Sequence, residues 1–103
     1  MTVTLESLPL EKLPEGRTAA AMPGGLPVLL ARAGGGIYAV ENRCAHMGCP
    51  LAAGTLEGHV LECPCHSWRF DLRTGALLEA AEIKIKTYPV EIRDGRIWIK
   101  AEL

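Results

Sequence analysis

The sequence has no long hydrophobic run and no strong excess of charge of either sign. No apolar stretch approaches the roughly 18 residues that a membrane-spanning helix needs. The formal net charge of −1 and the isoelectric point near 6.3 provide no electrostatic attraction to nucleic acid. Lys and Arg form no run suited to a membrane surface, and the first residues lack the pattern of a secretion signal. We therefore expect a soluble cytoplasmic protein that binds neither nucleic acid nor membranes.

The sequence also lacks the patterns of an enzyme with its own substrate pocket. Outside one cysteine-rich stretch it shows no nucleophile beside a base, no acid and base pair, and no glycine motif for a nucleotide. The chain has four cysteines, and in the absence of a secretion signal they indicate metal or redox chemistry before a structural disulfide framework. At 103 residues we expect a single domain over residues 1–103.

All four cysteines and two of the three histidines fall between Cys44 and His66. Cys44 and His46 form one close pair, and Cys63 and His66 form a second pair after sixteen intervening residues. Each pair is short enough for one tight loop, so two loops can offer two thiolates and two imidazoles to one site. Such a donor set suits either iron–sulfur or zinc chemistry.

Short apolar segments between glycine and proline turns predict an all-β fold, a small antiparallel sandwich or barrel. Hairpins are predicted at Gly34-Gly35-Gly36, at Arg73-Thr74-Gly75 and at Asp94-Gly95. The predicted strands are Thr2–Leu5, Arg17–Met22, Pro27–Ala33, Ile37–Val40, His59–Glu62, Trp68–Leu72, Ala76–Leu78, Ile85–Ile92 and Arg96–Ala101. We interpret Glu79–Glu82 as a loop or one helical turn, and the segment between Gly54 and Gly58 as a turn-rich link. Because a predicted strand leads into each Cys–His loop, the site should lie at one end of a sheet.

At these residues the sequence resembles the Rieske family of [2Fe–2S] proteins. The resemblance covers Cys44-x-His46-x-Gly48-x-x-Leu51-x-x-Gly54, Cys63-Pro64-x-His66, Phe70-Asp71, Thr74-Gly75 and Tyr88-Pro89-Val90. It implies a small antiparallel β domain with a cluster-binding tip made of two loops. It also implies that Cys44 and Cys63 hold one iron of a [2Fe–2S] cluster while His46 and His66 hold the other.

This ligand set has an electrostatic consequence. Two ferric ions, two sulfides and two thiolates sum to zero charge with neutral imidazoles, whereas four thiolates would leave a net negative charge. An added electron is therefore accepted more easily, and the potential should exceed that of an all-cysteine ferredoxin. Reduction also places negative charge beside the two imidazoles, so electron and proton transfer should be coupled at high enough pH.

The sequence combines features of two kinds of Rieske protein. Cys49 and Cys65 fall where the high-potential subunits of quinol-oxidising complexes carry a disulfide, so the resemblance implies that bond here. Those subunits also have Ser and Tyr hydroxyls where this sequence has Trp68 and Phe70, as in the ferredoxins of oxygenase systems. Because neither side chain supplies a hydroxyl donor, we expect a lower potential. Ser67 replaces the Gly usual after the second His ligand, which matters if the backbone needs a positive φ there.

The resemblance implies a one-electron carrier that passes electrons from a flavin-dependent reductase to a terminal oxidoreductase such as a ring-hydroxylating oxygenase. Such a carrier is not itself an enzyme and has no small-molecule substrate. One alternative is the small Rieske subunit of a larger oxidoreductase, of nitrite reductase or oxidase type. A second is a zinc-stabilised binding module, although zinc sites more often show Cys-x₂₋₄-Cys pairs.

For the remaining polar and aromatic residues the simpler interpretations are structural. Cys49 and Cys65 could instead be two free thiols packed near the site. His59 is interpreted as a surface side chain, and Trp68 and Phe70 as apolar cover for the second loop. The acidic residues interpreted as solvated, some with a potential role in docking a partner, are Glu57, Glu62 and Glu79.

Overall fold

The computed structural model describes residues 2–43, 50–65 and 67–102, and at residue 53 the backbone alone. Antiparallel strands dominate these residues, which confirms the predicted all-β fold. The strands are β1 (Thr2–Pro9), β2 (Thr18–Ala21), β3 (Val28–Ala33), β4 (Gly36–Glu41), β5 (Thr55–Glu57), β6 (Val60–Glu62), β7 (Arg69–Asp71), β8 (Ala76–Leu77), β9 (Ala80–Lys84), β10 (Thr87–Tyr88), β11 (Val90–Arg93) and β12 (Arg96–Glu102). Short 3₁₀ turns cover Leu10–Lys12, Pro23–Gly25 and Leu51–Ala53. Among the described residues, no helix has the length and apolarity needed to cross a membrane.

The strands form three antiparallel sheets. The first has three strands in the order β1-β12-β11, and the second has four in the order β10-β4-β3-β2. The third, here called the five-stranded sheet, runs β5-β6-β7-β8-β9 and carries the segment that leads into and out of the second Cys–His loop.

The four-stranded sheet is the middle layer, and the burial of β3 shows why. Residues 28–31 are fully buried in succession, as expected for a strand covered on both faces. Leu29 and Ala31 pack into a core cluster with side chains of the five-stranded sheet. Val28 and Leu30 pack into a second cluster with side chains of β12. The two cores therefore lie on opposite faces of one strand.

Two predicted hairpins have the turn that their sequences favour. Gly34 and Gly35 have φ values of 60° and 81°, and Asp94 and Gly95 have φ values of 54° and 73°. Two successive left-handed residues match the twist of the flanking strands, the geometry of a type I′ turn. These turns join β3 to β4 and β11 to β12, as predicted.

The interpretation of Glu79–Glu82 as a loop or helical turn is wrong. Residues Ala80–Lys84 form β9, the edge strand beside β8, with an irregular register between Ala76 and Leu77. An Ala- and Glu-rich segment has little strand propensity of its own, and its pairing with β8 decides its conformation. Thr55–Glu57, predicted as part of a turn-rich link, is likewise the strand β5.

The prediction of a single strand over Ile85–Ile92 is also wrong. This segment contains two short strands that join different sheets: β10 pairs with β4, and β11 pairs with β12. Pro89 lies between them and has no N–H to donate to a ladder, which favours a change of partner at this point.

Candidate metal centre

Of the four predicted ligands, the structure describes Cys63. Cys44, His46 and His66 lie outside the described residues, and so does Cys49 of the predicted disulfide. The described part of the site consists of Cys63 and the chain on either side of each loop.

Cys63 follows β6 and turns its thiol into the core. Its side chain is 1% exposed, and it belongs to the cluster that contains Leu61 and Phe70. Cys65, two residues later, is exposed. The loop thus places one cysteine inward, next to apolar side chains, and the other outward.

Two backbone hydrogen bonds close the second loop. The N–H of Cys63 donates to the carbonyl of Trp68 at 2.7 Å, and the N–H of Ser67 donates to the carbonyl of Cys63 at 3.1 Å. Ser67 has a φ of 58°, in the left-handed region. The position after the second His therefore does need a positive φ, which explains why glycine suits it.

We expect Ser67→Gly to stabilise this loop. A left-handed conformation costs a non-glycine residue about 1–2 kcal/mol, and glycine avoids this cost. Glycine is also more flexible in the unfolded chain, and the loss of that flexibility on folding offsets part of the gain. Urea denaturation of the holoprotein should show a gain of about 0.5–1 kcal/mol, and the cluster should be released more slowly. Ser67→Ala is the matched control, since it keeps the strain and removes the hydroxyl. A variant Ser67→Gly no more stable than Ser67→Ala would contradict this account.

The two ends of the first loop are tied by one side chain. The Oδ1 of Asn42 accepts a hydrogen bond from the N–H of Ala52 at 2.9 Å, so residues on either side of segment 44–49 are held together. Leu51, next to Ala52, is fully buried in the same core cluster as Cys63. The sequence reasoning missed Asn42. An Asn directly after a strand and before a loop was the available signal, because its short amide readily bonds nearby backbone.

Strands β5 and β6 bring the exit of the first loop against the entry of the second. Thr55 pairs with Glu62, the residue before Cys63. Gly54 lies so close to Glu62 that a Cβ added there would overlap the Glu62 carbonyl oxygen and come within 3.1 Å of the carbonyl carbon. This close approach holds together the chain segments that flank the two Cys–His loops.

Of the aromatic side chains after the second loop, Phe70 lies in the core and Trp68 packs against it. Phe70 is fully buried, and Trp68 packs against the same cluster, with ring centroids 6.5 Å apart and planes tilted by 57°. Their placement agrees with the interpretation of apolar cover for the second loop.

Asp71, from the Phe70-Asp71 motif, has a structural part in the turn after β7. The Nε and Nη2 of Arg73 donate to its two carboxylate oxygens at 3.1 and 3.0 Å, and its carbonyl accepts from Gly75 N–H at 2.7 Å. The side-chain hydrogen bond from Arg73 holds the pKa of Asp71 below its usual value. The carboxylate therefore stays ionised, and paired with Arg73, to a lower pH than an ordinary aspartate.

His59 is more enclosed than the surface side chain that the sequence suggested. It is partly buried, edge-on to Tyr38, with centroids 5.4 Å apart and an interplanar angle of 86°. Its ring also lies under the β3–β4 turn, against Gly34. It precedes β6, whereas Cys63 follows that strand, so its contacts join two sheets away from the predicted ligands.

The comparison with known families decides what this arrangement is. The model of the Rieske [2Fe–2S] domain matches residues 5–89. The chain belongs to this family. The predicted [2Fe–2S] cofactor is thereby confirmed, and a zinc-stabilised binding module is set aside.

Several known proteins resemble the chain over nearly its whole length. The ferredoxin component of a naphthalene 1,2-dioxygenase system from Pseudomonas putida is 40% identical over 101 residues, covering 96% of this chain and 97% of that protein. Among solved structures, the ferredoxin of carbazole 1,9a-dioxygenase from Nocardioides aromaticivorans IC177 has a TM-score of 0.85 at 30% identity, covering 94% and 96% of the two chains. A nitrite reductase small subunit from Mycobacterium tuberculosis has a TM-score of 0.89 at 22% identity, covering 100% and 98%, and this likeness shows the fold alone.

The described residues fit a Rieske cluster. Cys63 is a free cysteine whose thiol faces the core, so its sulfur lies in an apolar environment that shields a metal ligand from water. The predicted ligands, two cysteines and two histidines, match the donor types of a Rieske cluster. Within the part of the chain that the structure describes, no other group of three or more metal-ligating side chains occurs.

Proposed function

We propose that this protein carries single electrons from a flavin-dependent reductase to a terminal ring-hydroxylating oxygenase. The observation that carries the proposal is the match to a ferredoxin component over nearly the full length of both chains. The relative's name places it in a dioxygenase system, where a ferredoxin exchanges electrons with other protein components. The small subunit of a nitrite reductase-like enzyme has only the shared fold in its favour.

The proposed ligands are Cys44 and Cys63 for one iron and His46 and His66 for the other. When bound, the cluster supplies a one-electron couple whose potential depends on its ligands, on hydrogen bonds and on burial. The chain contributes the buried Cys63 thiol and the closed turn after it, both of which hold the second loop in place. Phe70 and Trp68 add apolar cover without a hydroxyl donor.

We also propose that residues 1–103 form one Rieske domain in the cytoplasm. The family match to residues 5–89 supports the first statement, and the two core clusters share β3. The second rests on cysteine usage, because all four cysteines cluster with two histidines between Cys44 and His66, which indicates a metal or redox site and not the disulfide framework of a secreted domain.

Potentiometric titration followed by electron paramagnetic resonance of the reduced holoprotein tests the function. We expect a Rieske-type signal with a midpoint in the lower part of the family range of roughly −150 to +300 mV, because hydroxyl donors are missing at Trp68 and Phe70. A midpoint near the top of that range would contradict the oxygenase-type assignment. Zinc without a resonance signal would contradict electron transfer altogether.

We further propose a disulfide between Cys49 and Cys65. Of the two cysteines that the structure describes, the buried Cys63 is a free thiol and Cys65 is not, which supports this proposal. Closing the two loops against each other restricts the opened state and so should slow the loss of the cluster.

Replacing both Cys49 and Cys65 by serine should leave the cluster assembled and speed its release about tenfold. That factor corresponds to about 1.4 kcal/mol, a part of the ~2–4 kcal/mol by which a disulfide typically stabilises a fold. The decay of cluster absorbance in the presence of a chelator measures the rate. Wild-type protein treated with a mild reductant is the matched control and should approach the variant's rate. Alkylation of both thiols in untreated holoprotein, found by mass spectrometry, would refute the bond.

A further inference from the structure

The outer face of the five-stranded sheet has a small groove beside the second Cys–His loop. Its volume is about 180 Å³, and its lining residues come from β5, β6, β7 and the β8–β9 turn. The lining residues are Thr55, Glu57, Val60, Glu62, Arg69 and Leu78. Glu62 directly precedes Cys63, and Arg69 opens the strand that leaves the loop. The groove therefore lies at the base of the loop that carries two of the proposed ligands.

The strand register explains why these side chains share one face. Thr55 pairs with Glu62, which pairs with Arg69, so the three form a row across β5, β6 and β7. Glu57 pairs with Val60 in the next row on the same face, two residues along each strand. Glu57 and Glu62 are diagonal neighbours, which lie about 7–8 Å apart, with a somewhat shorter distance between their Cβ atoms. One cation between them can therefore meet both carboxylates.

The charges of this face are unequally satisfied. Arg69 is already paired, because its Nη2 lies 3.0 Å from Oε1 of Glu79. This hydrogen bond lowers the pKa of Glu79, so the pair stays ionised at neutral pH. Glu57 and Glu62 form no ion pair with any residue that the structure describes. The groove thus presents two carboxylates without an ion-pair partner among the described residues, beside an arginine that is already paired with Glu79.

The remaining wall of the groove is apolar. Leu78 is 47% exposed, one of the few large hydrophobic side chains on the described surface, and Val60 is half-buried. The N–H of Leu78 donates to the carbonyl of Arg69 at 2.9 Å, which fixes the leucine at the edge of the groove. An apolar wall beside paired carboxylates suits a long cationic side chain, which has an aliphatic stem and a charged end.

We propose that this groove binds a lysine or arginine side chain of the redox protein that exchanges electrons with the cluster. The aliphatic stem packs against Val60 and Leu78, and the cation lies between Glu57 and Glu62. The proposal rests on the electron-carrier function, because a protein that approaches the second loop to exchange electrons also covers the groove.

The test uses reduced holoprotein and ferricytochrome c, a lysine-rich one-electron acceptor. Stopped-flow mixing gives the second-order rate constant from about 10 mM to about 0.5 M ionic strength, a range over which screening removes most attraction between exposed charges. The test variant is Glu57→Gln with Glu62→Gln. The control is Glu11→Gln with Asp94→Asn, which removes two carboxylates from a separate cavity beside the β11–β12 turn. The midpoint potential of each variant is measured, so that rates are compared at equal driving force.

We expect the test variant to react about fivefold more slowly at low ionic strength and to approach the wild-type rate at high ionic strength. The control should stay within about twofold of wild type throughout. Leu78→Ser should react more slowly at both extremes, because it removes apolar contact and leaves the charge unchanged.

Equal salt dependence in the test and control variants would overturn the groove proposal and leave the electron-carrier function standing. A wild-type cluster that cytochrome c does not reoxidise would instead contradict the electron-carrier function, and the groove proposal would fall with it. A change in the sedimentation coefficient of the protein alone, confined to the test variant, would show that a second copy of this chain fills the groove and would also overturn the proposal.

Discussion

Cys63→Ser should abolish cluster binding. The purified variant is expected to contain little iron and to lack both the visible absorbance and the electron paramagnetic resonance signal of the holoprotein. A serine hydroxyl is a poor substitute for a thiolate, which is the soft ligand that iron–sulfur clusters require. At a position that is 1% exposed, the hydroxyl would also lack water and cost about 1–3 kcal/mol if it found no partner.

Cys65→Ser provides the matched control for this prediction. Cys65 lies on the same loop, two residues away and exposed, so its replacement tests the loop without removing a proposed ligand. We expect it to retain near-stoichiometric iron and the same resonance signal, with faster release of the cluster. Stoichiometric iron with an unchanged signal in Cys63→Ser would show that Cys63 is not a ligand. Equal iron loss in both variants would show that the loop, and not the Cys63 thiolate, determines cluster binding.

The parts of the fold that were predictable from sequence are those with local causes. A type I′ turn needs two successive residues with positive φ, so Gly34-Gly35 and Asp94-Gly95 specify their hairpins almost alone. The alternation in β12 is equally local, since Ile97 and Ile99 are buried while Trp98 is on the opposite face.

The errors arose where the tertiary structure decides. β9 has a sequence without strand propensity, and its pairing with β8 gives it an extended conformation. The apolar run over Ile85–Ile92 is typical of one strand, yet the segments before and after Pro89 pair in two different sheets. The residue pattern of a single segment does not specify which strand that segment will pair with.

The candidate site shows the same division. The Cys–His spacing indicated a four-ligand site, and the resemblance indicated its cofactor and the proposed ligands, because these signals lie in short stretches of chain. The Asn42–Ala52 hydrogen bond, the burial of Cys63 and the groove beside Glu57 and Glu62 depend on contacts between different segments. The residue pattern of one short stretch does not specify such contacts.

Gly54→Ala should destabilise the holoprotein strongly, although Gly54 has no positive φ. The added Cβ would overlap the carbonyl oxygen of Glu62, and it would also meet the carbonyl oxygen of Leu51 at 3.1 Å. Both obstacles are backbone, so one of the two loop-flanking segments must move away. Overpacking of this kind costs about 1–3 kcal/mol and occasionally more, and we expect about 3 kcal/mol because no flexible side chain can yield.

The same displacement should weaken cluster binding, because Glu62 directly precedes Cys63. Urea denaturation of the holoprotein gives the loss of stability, and the decay of cluster absorbance with a chelator gives the release rate. We expect release to be faster by at least the factor expected on removing the proposed disulfide, because the change moves the backbone beside a proposed ligand.

Gly58→Ala separates this steric effect from ordinary glycine replacement in the same hairpin. Gly58 has a φ of 59°, and nothing lies within 4 Å of the position of an added Cβ, so alanine there meets conformational strain without a clash. That strain should cost about 1 kcal/mol and leave cluster release almost unchanged, because the β5–β6 turn is at the far end of the hairpin from Cys63. Equal losses of stability and equal release rates in the two variants would mean that the approach of Gly54 to Glu62 does not hold the loops together.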